Sequence, residues 1–176
     1  GIEHAERPEQ LTFDEIEQVV RVFSRHGVRK VRLTGGEPLL RPDLPDLIGR
    51  LSTIDSLEHV ALTTNAFLLE RHIDALEAAG LTSLNISLDT LQADAFEELT
   101  QTGSLDRVLD GIEAARASTM NPVKLNTVVV RGFNDDELGS LVEFAADRNL
   151  PIRFIEFMPI GQDTIWNETE AADGMQ

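Results

Sequence analysis

The feature that most constrains the fold is a regular alternation of strand patterns and helix patterns between Leu11 and Gly161. Five short strand-like segments read VRKVRLT, HVALTTN, SLNISLD, VKLNTVVV and IRFIEFM. Longer segments with apolar residues three or four positions apart separate them. This order is typical of repeated βα units and predicts a parallel sheet flanked by helices. The strands are predicted near residues 29–34, 59–64, 83–88, 123–130 and 152–158.

Helix signals mark the intervening segments. The first helix has capping-box spacing at Thr12 and Glu15, and Gly27 is a natural stop. Its apolar stripe is predicted to comprise Phe13, Ile16, Val20 and Phe23. Further helices are predicted at about 43–51 and 69–79, on both sides of Ser104, and from Asn134 onward. The last helix is expected to turn inward Leu138, Leu141, Val142 and Ala145.

The strands alternate apolar and polar residues, whereas parallel strands covered by helices on both faces are apolar nearly throughout. Successive side chains of a strand point to opposite faces, so one face should be polar. The residues expected to face the helices are Val31, Leu33, Leu62, Ile86, Leu88 and Leu125. The residues expected on the opposite, concave side are Arg32, Thr63, Ser87 and Lys124.

A polar face needs water or a partner, because burying an unpaired polar group costs several kcal/mol. One interpretation is an ordinary parallel sheet whose polar groups bond to one another. The other is a curved or barrel sheet whose polar face surrounds a ligand cavity, and βα sheets do bind ligands at the C-terminal ends of their strands. Arg32 and Lys124 would place positive charge there, which suits an anionic ligand such as a phosphate ester.

Composition excludes several kinds of function. The formal charge of −16 argues against a duplex nucleic acid or an anionic membrane as partner. No apolar run is long enough to span a bilayer, and no signal-peptide pattern begins the chain, so we expect a cytoplasmic protein. The chain has no cysteine, and its four histidines are scattered. It therefore offers no disulfide, no thiolate nucleophile and no predicted metal site.

The first strand pattern ends at Gly35 and Gly36, in the segment TGGEP. Two glycines at a strand end indicate a sharp turn or the close approach of another group. The chain contains neither G-x-G-x-x-G nor a P-loop pattern, so the usual nucleotide fingerprints are absent.

This TGGEP segment after a strand resembles the glycine-rich motif of radical S-adenosylmethionine (SAM) enzymes. More specifically, the chain resembles the molybdenum cofactor biosynthesis protein A family of GTP 3',8-cyclases from Leu11 to about Gly161. The matching segments, in order, are LTFDEI, VRLTGGEPLLRPDL, LTTNAFLL, LNISLDTL, GSLDRVLDGIEAA, VKLNTVVVRGFNDDEL and IRFIEFMPIG. The last segment and GFNDDEL are far more specific than GGEP alone.

The resemblance implies a partial TIM-type βα barrel over residues 11–161, between a flank at 1–10 and a tail at 162–176. It implies contacts to S-adenosylmethionine at Gly35, Gly36, Glu37, Ser87 and Met158. It implies contacts to the substrate GTP at Arg32, Thr63 and Lys124. No residue is assigned to the chemical step.

In the family reaction, a reduced 4Fe–4S cluster cleaves S-adenosylmethionine, and the resulting radical takes a hydrogen atom from the ribose of GTP. The product is the cyclic pyranopterin precursor. The family's C-x-x-x-C-x-x-C loop, on a first barrel strand before LTF, and the cysteines of a second cluster are both missing from this sequence. We therefore expect a core fragment that is inactive on its own and lacks ligands for either cluster.

Two other interpretations remain open from the sequence. One is a cysteine-free relative that binds a nucleotide or a partner without radical chemistry, and the other is a radical SAM enzyme of another branch. An unpaired sheet edge would favour association, so a homodimer is one expected form. Ala66 occupies a position where the family pattern leads us to expect glycine, so the turn is strained if its φ is positive.

Overall fold

The computed structural model describes residues 10–101 and 103–158. The predicted flank at 1–10 lies almost wholly outside the described residues. The predicted tail at 162–176 and the residues 159–161 that end the last motif lie wholly outside them.

Within the described residues, five parallel strands alternate with helices, and the strand order is β1-β2-β3-β4-β5. The strands are β1 Lys30–Leu33, β2 His59–Thr64, β3 Ser83–Ser87, β4 Val123–Val129 and β5 Ile152–Glu156. The α-helices are α1 Phe13–Arg25, α2 Leu44–Ser52, α3 Leu69–Ala78, α4 Ala93–Thr100, α5 Leu105–Ala117 and α6 Leu138–Asp147. Short 3-10 turns occupy Pro38–Leu40 and Asp135–Glu137. The predicted fold class, a partial TIM-type βα barrel, is confirmed, and each strand lies within two residues of its predicted bounds.

Contacts divide the chain into two compact units. The first unit comprises the described residues of Gly1–Ile86 and Asp106–Val123, and the second those of Ser87–Leu105 and Lys124–Gln176. The predicted single span of 11–161 stays a prediction. Among the described residues, no helix has the length and apolar character needed to cross a membrane.

The first unit begins with the predicted capping box of α1. The Thr12 amide donates to Glu15 Oε2 at 2.7 Å, and the Glu15 amide donates to Thr12 Oγ1 at 3.2 Å. The core of this unit is aliphatic because α2, α3 and α5 present leucine and isoleucine at helical spacing to β2 and β3. Its fully buried side chains include Leu47, Leu51, Leu62, Leu76, Leu84 and Ile112.

The predicted faces of the strands agree with the burial that we observe. Leu62, Ile86, Leu88 and Leu125 are buried, whereas Val31 and Leu33 of the first strand are half-buried. On the predicted polar face, Arg32 and Ser87 are exposed, and Thr63 and Lys124 are half-buried.

Two apolar residues of the predicted helix stripes, Phe23 and Val142, are exposed. Phe23 of α1 is 57% exposed, because the helix buries Val20 and Ser24, which are spaced four residues apart. Val142 of α6 is 46% exposed, because it lies about 100° around the helix from the buried Leu141. The prediction that Val142 turns inward was therefore wrong. For both residues the reason is the same, since an apolar stripe does not reveal which part of it is covered.

Candidate functional site

Arg32 of β1 and Thr63 of β2 lie next to each other on the polar face of the first unit. Arg32 Nη1 donates a hydrogen bond to Thr63 Oγ1 at 3.2 Å. A guanidinium carries five N–H donors, so this one bond leaves most of them for an anion. The structure thus brings together two of the three residues predicted to contact GTP.

The turn after β1 is open toward solvent. A Cβ added at Gly35 would meet no other atom within 4 Å, and both Gly35 and Gly36 are exposed. The backbone of this turn is therefore free to receive a ligand at close range.

Glu37, the next residue, has its carboxylate engaged within the protein. Its Oε1 accepts hydrogen bonds from Thr64 Oγ1 at 2.7 Å and from the Leu39 amide at 3.0 Å. Its Oε2 accepts from the Asn65 amide at 2.8 Å. The bonds from Thr64 and Asn65 connect the turn after β1 to the end of β2, a link that the sequence pattern alone does not reveal.

At Ala66, in the turn after β2, the condition for strain, a positive φ, is met. Its φ is +61°, in the left-handed region that alanine adopts only with strain. Ala66 is buried, and its amide donates to Thr64 Oγ1 at 3.1 Å. On its other side, the carbonyl oxygen of Ala66 faces Gly111 of α5 so closely that a Cβ at Gly111 would lie 2.5 Å away.

The other three predicted ligand contacts belong to the second unit. Ser87 ends β3 and is exposed, Lys124 is half-buried in β4, and Met158 is 65% exposed. In the part of the chain that the structure describes, no side-chain hydrogen bond links these three residues. Their contacts to S-adenosylmethionine and GTP stay predictions.

A polar network joins the end of β3 to β4 in the second unit. Asp89 Oδ1 accepts from the Val128 amide at 2.7 Å, and Thr127 Oγ1 donates to the Leu88 carbonyl oxygen at 2.6 Å. Asn134 Nδ2 donates to the carbonyl oxygens of Asp89 and Val128 at 2.7 and 2.9 Å. Burial raises the pKa of the Asp89 carboxyl above its usual range, and the bond from Val128 partly opposes that shift.

Glu137 extends this network. Its Oε1 accepts from Thr90 Oγ1 at 2.5 Å, and its Oε2 accepts from the Leu91 amide at 2.8 Å. The sequence suggested only that Glu137 lies near a helix start. Its actual role depends on a partner 47 residues earlier in the chain.

One buried polar atom has no hydrogen-bond partner among the described residues, the Oδ1 of Asn126. Asn126 lies two positions after Lys124 on β4, so both side chains point to the same face. An acceptor left unpaired in this way costs about 1–3 kcal/mol, which a donor from a bound ligand would offset.

The donor set decides which bound groups the chain can hold. In the first unit, the open glycine turn and the Arg32 guanidinium fit an anionic or zwitterionic small molecule. In the second unit, Lys124 and the unpaired Asn126 oxygen are polar groups of one strand face that a ligand could pair. An iron–sulfur cluster does not fit, because such clusters are held mainly by cysteine thiolates and the 176 residues contain none. The described residues also contain no group of three or more histidine, aspartate or glutamate side chains placed to hold a metal ion.

Comparison with protein-family models matches residues 3–145 to the Radical SAM superfamily. A protein named GTP 3',8-cyclase from Pelotomaculum thermopropionicum is 46% identical over 166 residues, which make up 94% of this chain and 51% of that protein. Proteins of the same name from Listeria welshimeri and Limosilactobacillus fermentum are 46% and 48% identical over 90% and 86% of this chain. These matches cover 48% and 46% of those two proteins, so the chain spans about half the length of the curated relatives it matches.

Solved structures with much lower sequence identity share the fold. The structure titled "Native anSMEcpe with bound AdoMet" has a TM-score of 0.71 at 14% identity, covering 95% of this chain and 50% of that chain. Methylornithine synthase (PylB) has a TM-score of 0.67 at 20% identity, covering 85% of this chain and 45% of that chain.

Proposed function

Because the chain belongs to the radical SAM superfamily, we propose that it is the ligand-binding core of a GTP 3',8-cyclase of molybdenum cofactor biosynthesis. The observation that carries the proposal is the 46% identity to a protein of that name across 94% of this chain. The polar strand faces supply the chemistry that GTP and S-adenosylmethionine require.

GTP is the proposed substrate, and Arg32, Thr63 and Lys124 are its proposed contacts. The whole chain is strongly acidic, so cations on a polar strand face are the local exception that a triphosphate needs. Arg32 is already oriented by its bond to Thr63, which reduces the entropy lost when the guanidinium binds phosphate oxygens.

S-adenosylmethionine is the proposed second ligand, with contacts at Gly35, Gly36, Ser87 and Met158. The open space beside Gly35 supports close approach of the ligand to backbone amide and carbonyl groups. No step through an iron–sulfur cluster is assigned to these residues, because they offer it no thiolate.

The test is calorimetric titration of GTP into the full-length protein that contains this chain. Lys124→Ala removes one charged hydrogen bond, worth roughly 1.5–3 kcal/mol, so we expect the dissociation constant to rise about tenfold or more. Arg32→Ala should act in the same direction. Arg71→Ala, on the exposed surface of α3, is the control and should leave GTP affinity unchanged. Unchanged affinity in Lys124→Ala and Arg32→Ala would refute the assigned contacts.

We infer a second candidate, a nucleotide-binding relative without radical chemistry, because the 176 residues by themselves supply a polar strand face and no cluster ligand. The two candidates differ in their ligands. A GTP 3',8-cyclase must bind both S-adenosylmethionine and GTP, whereas the second candidate would bind GTP alone. Titration of the full-length protein with each ligand separates them.

A further inference from the structure

The same hydrogen-bond arrangement occurs twice in this chain, once in each unit. The first clamp consists of Glu37, Thr64, Asn65 and Ala66. The second clamp consists of Glu137, Thr90, Leu91 and Gln92. In the first clamp, Glu37 follows β1 and holds the loop after β2. In the second clamp, Glu137 follows β4 and holds the loop after β3.

The two clamps match bond for bond. One carboxylate oxygen accepts from the threonine hydroxyl, at 2.7 Å for Thr64 and 2.5 Å for Thr90. The other oxygen accepts from the amide of the following residue, at 2.8 Å in both clamps. The threonine oxygen then accepts from the amide two residues later, at 3.1 Å for Ala66 and 3.0 Å for Gln92.

The threonine of each clamp is sheltered from water, whereas the bond from the Asn65 amide to Glu37 is exposed. Thr64 and Thr90 are buried, Glu137 is only 5% exposed, and Glu37 is half-buried. Hydrogen bonds from amides and hydroxyls to an ionised carboxylate are stronger than neutral ones, and losing one partner leaves the buried donors unpaired. Each clamp therefore ties its loop to a glutamate on another segment of the chain.

Each clamped loop follows a residue that the proposed function assigns to a ligand. Thr63, a proposed GTP contact, directly precedes the clamped Thr64. Ser87, a proposed contact to S-adenosylmethionine, lies three residues before the clamped Thr90. Three of the roughly four acceptor sites of the Glu37 carboxylate are taken by Thr64, Leu39 and Asn65, so most of its hydrogen-bonding capacity is used within the protein.

We propose that Glu37 and Glu137 are positioning residues that hold Thr63 and Ser87 in place and do not touch the ligands themselves. This inference rests on the proposed function for the identity of the ligands. It reassigns Glu37 from the ligand contact expected by resemblance to a support for the loop after β2. The arrangement of the loops does not depend on the ligands, so it can be measured separately.

The test uses the full-length holoenzyme with single and paired substitutions in each clamp. Glu37→Gln and Thr64→Val should each raise the dissociation constant of GTP about tenfold, the effect of losing one charged hydrogen bond. The double variant should have a dissociation constant for GTP no higher than that of the weaker-binding single variant, because both changes open the same clamp. Thr64→Ser keeps the hydroxyl and should restore GTP affinity. Glu137→Gln and Thr90→Val should raise the dissociation constant of S-adenosylmethionine in the same way.

Hydrogen exchange of the clamped amides provides a readout that is independent of ligands. Exchange at Asn65 and Ala66 should be faster in Glu37→Gln and Thr64→Val, and exchange at Leu91 and Gln92 faster in Glu137→Gln and Thr90→Val. The matched controls are Glu70→Gln on α3 and Glu98→Gln on α4, which remove the same charge from exposed positions and should leave these rates unchanged.

Three results would overturn the proposal. A loss of affinity in Glu37→Gln that Thr64→Val does not reproduce would mean that Glu37 contacts a ligand directly. A lower free energy of unfolding in the variants, with unchanged dissociation constants for GTP and S-adenosylmethionine, would mean that the clamps serve stability alone. If the unaltered holoenzyme binds neither ligand, the proposed function fails, and unchanged exchange rates in the variants would then refute the clamps as well.

Discussion

Gly111 occupies the interior of α5, and replacing it with alanine tests how closely this helix packs against the turn after β2. A Cβ at this position would lie 2.5 Å from the carbonyl oxygen of Ala66, 3.2 Å from the Ala66 Cβ and 3.3 Å from the Leu69 Cβ. The nearest of these atoms belongs to backbone, so it cannot rotate away. Either α5 or the strained turn at Ala66 must move.

Two effects of opposite sign decide the result. Alanine is favoured over glycine inside a helix by about 1 kcal/mol. Overpacking of a well-filled site costs about 1–3 kcal/mol, and the approach to a backbone atom places Gly111→Ala toward the upper part of that range. We therefore expect the free energy of unfolding to fall by about 1–2 kcal/mol, a decrease in Tm of roughly 2–4 °C per kcal/mol for a chain of this size.

Gly49→Ala in α2 is the matched control, because a Cβ there would meet nothing within 4 Å. The same chemical change should now stabilise the protein by about 0.5–1 kcal/mol. Urea denaturation followed by circular dichroism measures both variants. If Gly111→Ala is as stable as Gly49→Ala, the close packing of α5 on Ala66 is refuted.

Two further predictions concern charge and chemistry. Burial raises the pKa of the Asp89 carboxyl above its usual range, so the folded state holds this proton more tightly than the unfolded state does. The stability that the protonated site contributes is therefore lost as pH rises through the folded pKa. Asp89→Asn keeps the acceptor for the Val128 amide. In urea denaturation, the variant should have a higher free energy of unfolding than the unaltered protein at neutral pH, and this difference should vanish below pH 3.8, the ordinary pKa of an aspartate. A difference that does not change with pH would contradict this. The 176-residue chain by itself should not cleave S-adenosylmethionine, because it has no cysteine to hold a cluster; release of 5′-deoxyadenosine after anaerobic treatment with iron, sulfide and a reductant would contradict that expectation.

Much of the fold follows from local patterns in the sequence. The capping box at Thr12 and Glu15 predicts the start of α1 because both partners lie within one turn. The alternation in β4 predicts that Leu125 is buried and Lys124 less so, because side chains on a strand alternate between faces. The resemblance that surrounds the GGEP segment likewise implies the superfamily, which the match over residues 3–145 establishes.

The sequence by itself therefore determined the order of strands and helices, the polar strand faces and the family, since each depends on neighbouring residues or on a contiguous motif. The tertiary structure alone decided which side chains of the apolar stripes are covered, as Phe23 and Val142 show. It also decided the clamp partners of Glu37 and Glu137, which lie 27 and 47 residues away along the chain. The requirement for glycine at position 111 has the same origin, because it depends on a carbonyl oxygen that only the folded chain brings within 2.5 Å of a Cβ there. Local periodicity carries no information about such contacts, because they form between segments that meet only when the helices pack on the sheet.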